Sequence, residues 1–153
     1  MARPSKSIDS AKGHRTQQEK AQRKKAEEQA LSGRKMKAFD ETKKNPIALK
    51  EFKRVQKLFK AVGKNDAVYE AVINRYCILT AECEELLERK RTYATLITEI
   101  KEQIDELKEN QRLEPAIFLR LIKEINATQV NINKIDSILN QKRKMMFDIE
   151  KEN

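Results

Sequence analysis

The sequence predicts an all-α fold: a disordered basic N-terminal arm, short helices, then a long antiparallel helical hairpin that oligomerises. Three observations lead there. The 153 residues include only 3 Gly, 3 Pro and no Trp, and 37% are charged. That is the composition of long helices, not of a β-sandwich or a doubly wound sheet. Apolar residues recur every three or four positions over two long stretches free of Gly and internal Pro. Charge is divided along the chain. Residues 1–64 carry 19 Lys/Arg against 7 Asp/Glu, a net of +12, whereas residues 65–153 carry 14 against 17, a net of −3. The division points to a polyanion-contacting arm joined to a self-associating helical body.

Taken in order, residues 1–15 mix Pro, Ser, Gly and Lys and read as disordered until an anion orders them. Thr16 with Glu19 three residues on forms a capping box. The polar helix that follows runs to Leu31 and is stopped by Ser32-Gly33. Residues 34–45 read as a linker with one possible anchor, Phe39. Asn45-Pro46 opens the next helix, Asn as N-cap and Pro at the first position. Its apolar face is Leu49, Phe52, Val55, Phe59 and Val62, and Gly63 stops it. A long helix is expected from Asp66 to about Asn110, spanning about 65 Å at 1.5 Å per residue. Its stripe is Val72, Tyr76, Leu79, Cys83, Leu86, Lys90, Tyr93, Ile97, Ile100, Ile104 and Leu107, broken only by Lys90. Pro115 marks a turn. The second stripe is Phe118, Leu121, Ile125, Thr128, Ile132, Ile135, Leu139, Lys142, Met146 and Ile149, interrupted by Thr128 and Lys142. Three segments result: a flexible basic arm over 1–44, a basic amphipathic helix over 45–64, and an oligomerising hairpin over 65–153.

A hydrophobic fraction of 39% is too low for a large self-contained core. Helices this polar finish burying their stripes against copies of themselves. The oligomerisation core is therefore placed at Ile97, Ile100, Ile104, Leu107, Leu121, Ile125, Ile132, Ile135 and Leu139. The leftover apolar positions Ile122, Val130, Ile138 and Met145 extend it.

Enzyme chemistry is not expected, and no catalytic residue is assigned. No Gly-rich loop precedes a helix, so no phosphate cradle forms. His14 is the only histidine, which leaves no nucleophile–base pair and no Cys/His zinc set. No metal and no cofactor is expected. The acids from Glu82 to Glu88 and from Glu99 to Glu109 interleave with Lys and Arg as a solvated face. Cys77 and Cys83, six apart on a helix, point away from each other, so no internal disulfide is expected. Unbridged thiols fit a reducing cytoplasm. The basic N-terminus lacks the apolar region of a signal peptide, and no run could span a membrane.

The basic clusters are the functional signal. They are Lys20, Arg23, Lys24 and Lys25; then Arg34, Lys35 and Lys37; then Lys50, Lys53, Arg54, Lys57, Lys60 and Lys64. Such clusters bind phosphate backbones by counterion release, without base contacts. Aromatic residues do not alternate with them, which argues against single-strand stacking. The helix ending at Val62, the turn Gly63-Lys64-Asn65 and the helix from Asp66 could form a helix–turn–helix. The second helix, however, opens with Asp66, Tyr69, Glu70 and Asn74 rather than base-reading cations. A plain αα-corner is the better reading.

Ala2-Arg3-Pro4, Gly13-His14-Arg15 leading into QQEKAQRKKAEEQALSG, the Phe52-Lys53-Arg54 helix with its Gly63 turn, and Asp66 entering a helix with Tyr76-Cys77 occur together in this order. In these features the chain resembles the small terminase subunits of tailed double-stranded DNA bacteriophages. The resemblance covers roughly residues 1–90 and does not extend beyond Thr92. It implies a non-catalytic adaptor that forms ring-shaped oligomers and engages double-stranded viral DNA for genome packaging. It also implies delivery of that DNA to a large terminase subunit holding the ATPase and nuclease, in the host cell cytoplasm. A structural coiled-coil or capsid-assembly protein with a basic arm is the rival reading, and a small DNA-binding transcription regulator the third.

Overall fold

The computed structural model describes residues 16–152. The expectation for residues 1–15 lies outside the described residues. Among the described residues every regular element is helical: α1 Gln17–Ala30, α2 Asp40–Lys44, α3 Pro46–Ala61, a 3-10 turn Ala67–Tyr69, α4 Glu70–Glu109 and α5 Pro115–Glu152. No helix among them is long and apolar enough to cross a membrane. The chain falls into two compact units. One runs up to Ala81 and takes in the residues from Lys144; the other is Glu82–Arg143.

In the first unit the local signals act where the sequence places them. Thr16 Oγ1 accepts from the Glu19 amide at 3.3 Å, and Glu19 Oε2 accepts from the Thr16 amide at 3.2 Å. This reciprocal box fixes the start of α1. Asn45 Oδ1 accepts from the amides of Ile47 and Ala48, at 3.0 and 3.2 Å, ahead of Pro46. At the other end of α3 the Lys64 amide donates to the Phe59 carbonyl at 2.8 Å, and that of Gly63 to Lys60 at 3.1 Å. This double closure needs a left-handed residue after the cap, and Gly63 supplies it at φ 71°.

The core of this unit is Met36, Ala48, Phe52, Val55, Ile73, Cys77 and Ala81, with Phe59, Tyr69 and Tyr76 packed against it. Phe59 and Tyr69 meet edge to face, ring centres 5.4 Å apart. Val62, expected on the apolar face of α3, is 68% exposed because the helix has already closed at Ala61.

The segment expected as a linker is a strap. Met36, 1% exposed, is its anchor, whereas Phe39 is 44% exposed. The Gln56 amide donates to the Met36 carbonyl at 2.9 Å. Around it Ser32, Gly33 and Arg34 bond to residues 66 and 67, Lys37 bonds to Glu70, and Lys37, Phe39 and Thr42 bond to Asn74. Two buried polar side chains, not apolar periodicity, hold residues 32–42. The long helix also starts later than expected. Asp66 caps the 3-10 turn through the Val68 amide at 2.9 Å, and α4 begins at Glu70.

In the second unit Cys83, Ile100, Leu121, Thr128, Ile132, Ile135 and Leu139 are buried. All three polar interruptions of the stripes have partners. Thr128 Oγ1 donates to the Glu124 carbonyl at 2.8 Å. Lys90 Nζ lies 2.6 Å from Asp136 Oδ1, and Lys142 Nζ 2.6 Å from Glu82 Oε2. From 82 to 90 on α4, the partner moves from 142 to 136 on α5. The Arg112 amide donates to the Leu107 carbonyl at 2.8 Å and that of Gln111 to Lys108 at 3.2 Å, the same closure as after α3. Here Gln111 takes the left-handed place, at φ 56°.

Candidate nucleic-acid interface

α3 organises the basic surface. At about 100° per residue, Lys50, Lys53, Lys57 and Lys60 fall within an arc of about 80°, and all four are exposed. Buried Ala48, Phe52 and Val55 lie on the opposite side of the helix. The core thus clamps one face of α3 and presents a row of lysines on the other. From Lys50 to Lys60 the row is about 15 Å long. Arg54 stands apart. Its Nη2 and Nε lie 2.6 and 2.9 Å from the Glu51 carboxylate, in a bidentate pair. That bond raises the guanidinium pKa further, and a phosphate would have to compete with Glu51 for it.

The other expected contacts sit on different supports. Lys20, Lys24 and Lys25 are exposed on α1 and Arg23 is half-buried. No residue of α1 is buried, so this helix presents its cations without a packed face behind it. Arg34, Lys35 and Lys37 are exposed on the strap, whose backbone is fixed by the bonds given above. Lys64 is half-buried in the turn after α3. Among the described residues the three clusters share the first unit, but only the lysines of α3 form one row on a buried helix.

The start of α4 is turned inward. Asn74 is 2% exposed and fills all four of its hydrogen-bonding places. Its Oδ1 accepts from the Phe39 amide at 2.8 Å and the Thr42 hydroxyl at 2.6 Å, and its Nδ2 donates to the carbonyls of Lys37 at 3.0 Å and Glu70 at 2.7 Å. Asp66 is buried as well. Burial works against its charge, yet bonds from the amides of Val68, Ser32 and Gly33 and from the Ser32 hydroxyl prevail and hold its pKa down at about 2. Neither side chain can meet a base edge. This is a locked corner, and the sequence signal for the lock was an Asn set beside an apolar stripe with no solvent-side role.

The remaining ionisable groups of this unit do structural work. Burial, then the 2.8 Å bond from its hydroxyl to Glu150, pushes Tyr76 up to about 12. Burial pushes the Cys77 thiol up to about 12, which leaves it protonated and unreactive at neutral pH. In the second unit burial also raises Cys83. Neither cysteine is in a disulfide. Among the described residues no three of His, Cys, Asp and Glu come together as metal ligands.

The nine expected oligomerisation residues lie on the sheltered sides of α4 and α5. Ile100, Leu121, Ile132, Ile135 and Leu139 are buried within the single chain, and Ile97, Ile104, Leu107 and Ile125 are half-buried. The large apolar side chains left exposed on α4 and α5 are Leu96, Phe118, Leu119, Val130, Ile138, Met145 and Phe147. No protein-family model matches this chain, and no curated protein or solved structure shows detectable similarity to it.

Proposed function

We propose that this chain is a non-catalytic adaptor that grips duplex DNA through the lysine face of α3 and self-associates through its helical body. The role that fits is that of a phage small terminase subunit. It would engage viral DNA in the host cytoplasm and modulate a large terminase subunit that carries the ATPase and nuclease. The observation that carries the reading is the row Lys50, Lys53, Lys57 and Lys60 opposite the buried face of α3. Four charges on one face of a fixed backbone, without aromatic residues among them, suit phosphates and not bases. The second unit closes as an antiparallel helical hairpin in this reading, supported by the Lys90–Asp136 and Lys142–Glu82 pairs. Copies then join into a ring.

A structural helical protein with a basic arm is the second reading. The inward-turned Asn74 and Asp66 favour it over a transcription regulator, which needs a base-reading helix. Salt dependence tests the proposal. The four lysines of α3 alone contribute about −3.6 to the slope of log K against log[salt] for duplex DNA, and contacts from α1 add to it. Changing Lys53, Lys57 and Lys60 together to Glu should weaken binding to all duplexes alike. Affinity insensitive to salt, or to the triple reversal, would reject it. The purified chain should not turn over ATP, but should change the ATPase rate of its cognate large subunit.

A further inference from the structure

Gln56 stands on the flank of α3, about 40° around the helix from buried Phe52 on one side and about 40° from Lys60 on the other. Its side-chain amide is the tie to the strap, donating to the Met36 carbonyl at 2.9 Å. The strap therefore passes beside the lysine row, one side chain away from α3. From Lys35 to Phe39 it forms no helix or turn. Met36 is buried, whereas Lys35 and Lys37 on either side of it are exposed, the alternation of an extended chain. The backbone around them is bonded to the start of α4 and the turn before it. The Ala67 amide donates to the Arg34 carbonyl at 2.7 Å, the Lys37 amide to Glu70 Oε2 at 2.9 Å, and Asn74 Nδ2 to the Lys37 carbonyl at 3.0 Å. The Glu70 carboxylate is thus turned to the backbone, and neither Lys35 nor Lys37 has an ion-pair partner among the described residues.

The opposite flank of the row differs. Arg54 lies there, about 40° beyond Lys50, and Glu51 already occupies its guanidinium in the bidentate pair. We infer that the interface is one-sided: a duplex on the α3 row also rests on Lys35 and Lys37 of the strap, and not on Arg54. The inference rests on the duplex binding proposed above and gives it a second support and a direction. Lys35 and Lys37 stand on a backbone fixed before DNA arrives, as the α3 lysines do, so both sets meet one phosphate surface without first ordering the chain beneath them.

The test uses the full chain and one labelled duplex, with affinity read by fluorescence anisotropy from about 50 to about 200 mM salt. Lys35→Ala with Lys37→Ala should flatten the slope of log K against log[salt] by about 1.8, so that the ratio of wild-type to variant affinity falls about twelvefold across that range. Glu51→Gln with Arg54→Gln removes one charge of each sign from the other flank and should change the slope by less than about 0.5. Circular dichroism should match wild type for both pairs. Acetylation of Lys35 and Lys37 in the wild-type chain, followed by mass spectrometry, should slow by about threefold or more when the duplex is bound. A slope unchanged by the strap pair, equal flattening by both pairs, or acetylation that the duplex leaves unchanged overturns this inference alone, so long as reversal of Lys53, Lys57 and Lys60 still weakens binding. If that reversal has no effect, or binding is insensitive to salt, the proposed function falls and this inference with it.

Discussion

Asn74→Ala would separate a locked corner from a recognition helix. The side chain is buried and closes four hydrogen bonds, of 2.6 to 3.0 Å, three of them between α4 and the strap and one to the Glu70 carbonyl within α4. Truncation strands the Phe39 amide, the Lys37 carbonyl and the Thr42 hydroxyl. The Glu70 carbonyl keeps its place in the helix ladder. Stranded buried groups cost about 1–3 kcal/mol each, the low end applying where a strap can open to water. Three of them give a loss of about 3 kcal/mol. With a urea slope of about 2 kcal/mol/M, the unfolding midpoint should fall by about 1.5 M. Thr42→Val touches the same network, so its cost should not add to that of Asn74→Ala. A coupling of about 0.5–2 kcal/mol is expected from the double-mutant cycle. Duplex affinity measured well below the midpoint should stay at the wild-type value for every duplex. The reasoning fails if stability falls by less than about 1 kcal/mol, or if Asn74→Ala abolishes preference for one duplex while the fold is intact.

Three further outcomes follow from the same unit and from the turn before α5. Asp66 titrates at about 2 when folded, below about 3.9 for an unfolded aspartate. Its contribution is therefore complete above about pH 4 and is lost as pH falls from about 4 towards 2, a dependence that Asp66→Asn should remove from the urea midpoints. Phe52→Ala empties a site 3% exposed at the centre of the first core and should cost about 3–5 kcal/mol in urea unfolding. Gln111 sits in the left-handed region at φ 56°. Gln111→Gly should therefore raise the melting temperature, gaining about 0.5–1 kcal/mol once the entropy of glycine is offset; a loss would show that its side chain contributes more than the strain costs.

Local signals were legible in the sequence, and remote ones were not. Thr16 with Glu19, Asn45 with Pro46, and Gly63 set helix ends because their effects act within one turn. The stripe of α5 was largely legible because burial follows the helical period: Leu121, Ile132, Ile135 and Leu139 are buried as spaced, although Phe118 is exposed; on α4 Leu79, Cys83 and Ile100 are buried as spaced, but the first core takes Ile73, Cys77 and Ala81 where Val72 and Tyr76 were expected. The interruptions Lys90 and Lys142 could be seen, but not their acids 46 and 60 residues away. The strap was missed for the same reason. Its bonds to Asp66 and Asn74 join residues 32 to 37 apart, and its one apolar anchor, Met36, has no periodic neighbour. On the basic surface the cations could be counted from sequence. Which of them stand on a clamped helix could not, because that depends on the far side of α3.

That difference has a measurable consequence. Lys20, Arg23, Lys24 and Lys25 on α1 match the α3 row in number, but α1 has no buried residue, only the half-buried Arg23 and Glu27. The salt slope counts the phosphates neutralised, so removing either set of four should flatten it by about 3.6 if all are in contact. Affinity at a fixed salt concentration also includes the cost of ordering the charges. That cost is about 0.5–1.5 kcal/mol for each immobilised long side chain, plus any backbone that must be fixed with it. On α3 the backbone is held by Ala48, Phe52 and Val55 before DNA arrives, so only the side chains need ordering. On α1 the helix itself must be positioned as well. Replacing the four α3 lysines by Ala should therefore weaken binding more than replacing the four α1 cations, though both flatten the slope alike. Isothermal binding to one duplex at several salt concentrations separates the two quantities. If the α1 set lowers affinity as much as the α3 set, the clamped face confers no advantage, and the candidate interface is a count of charges alone.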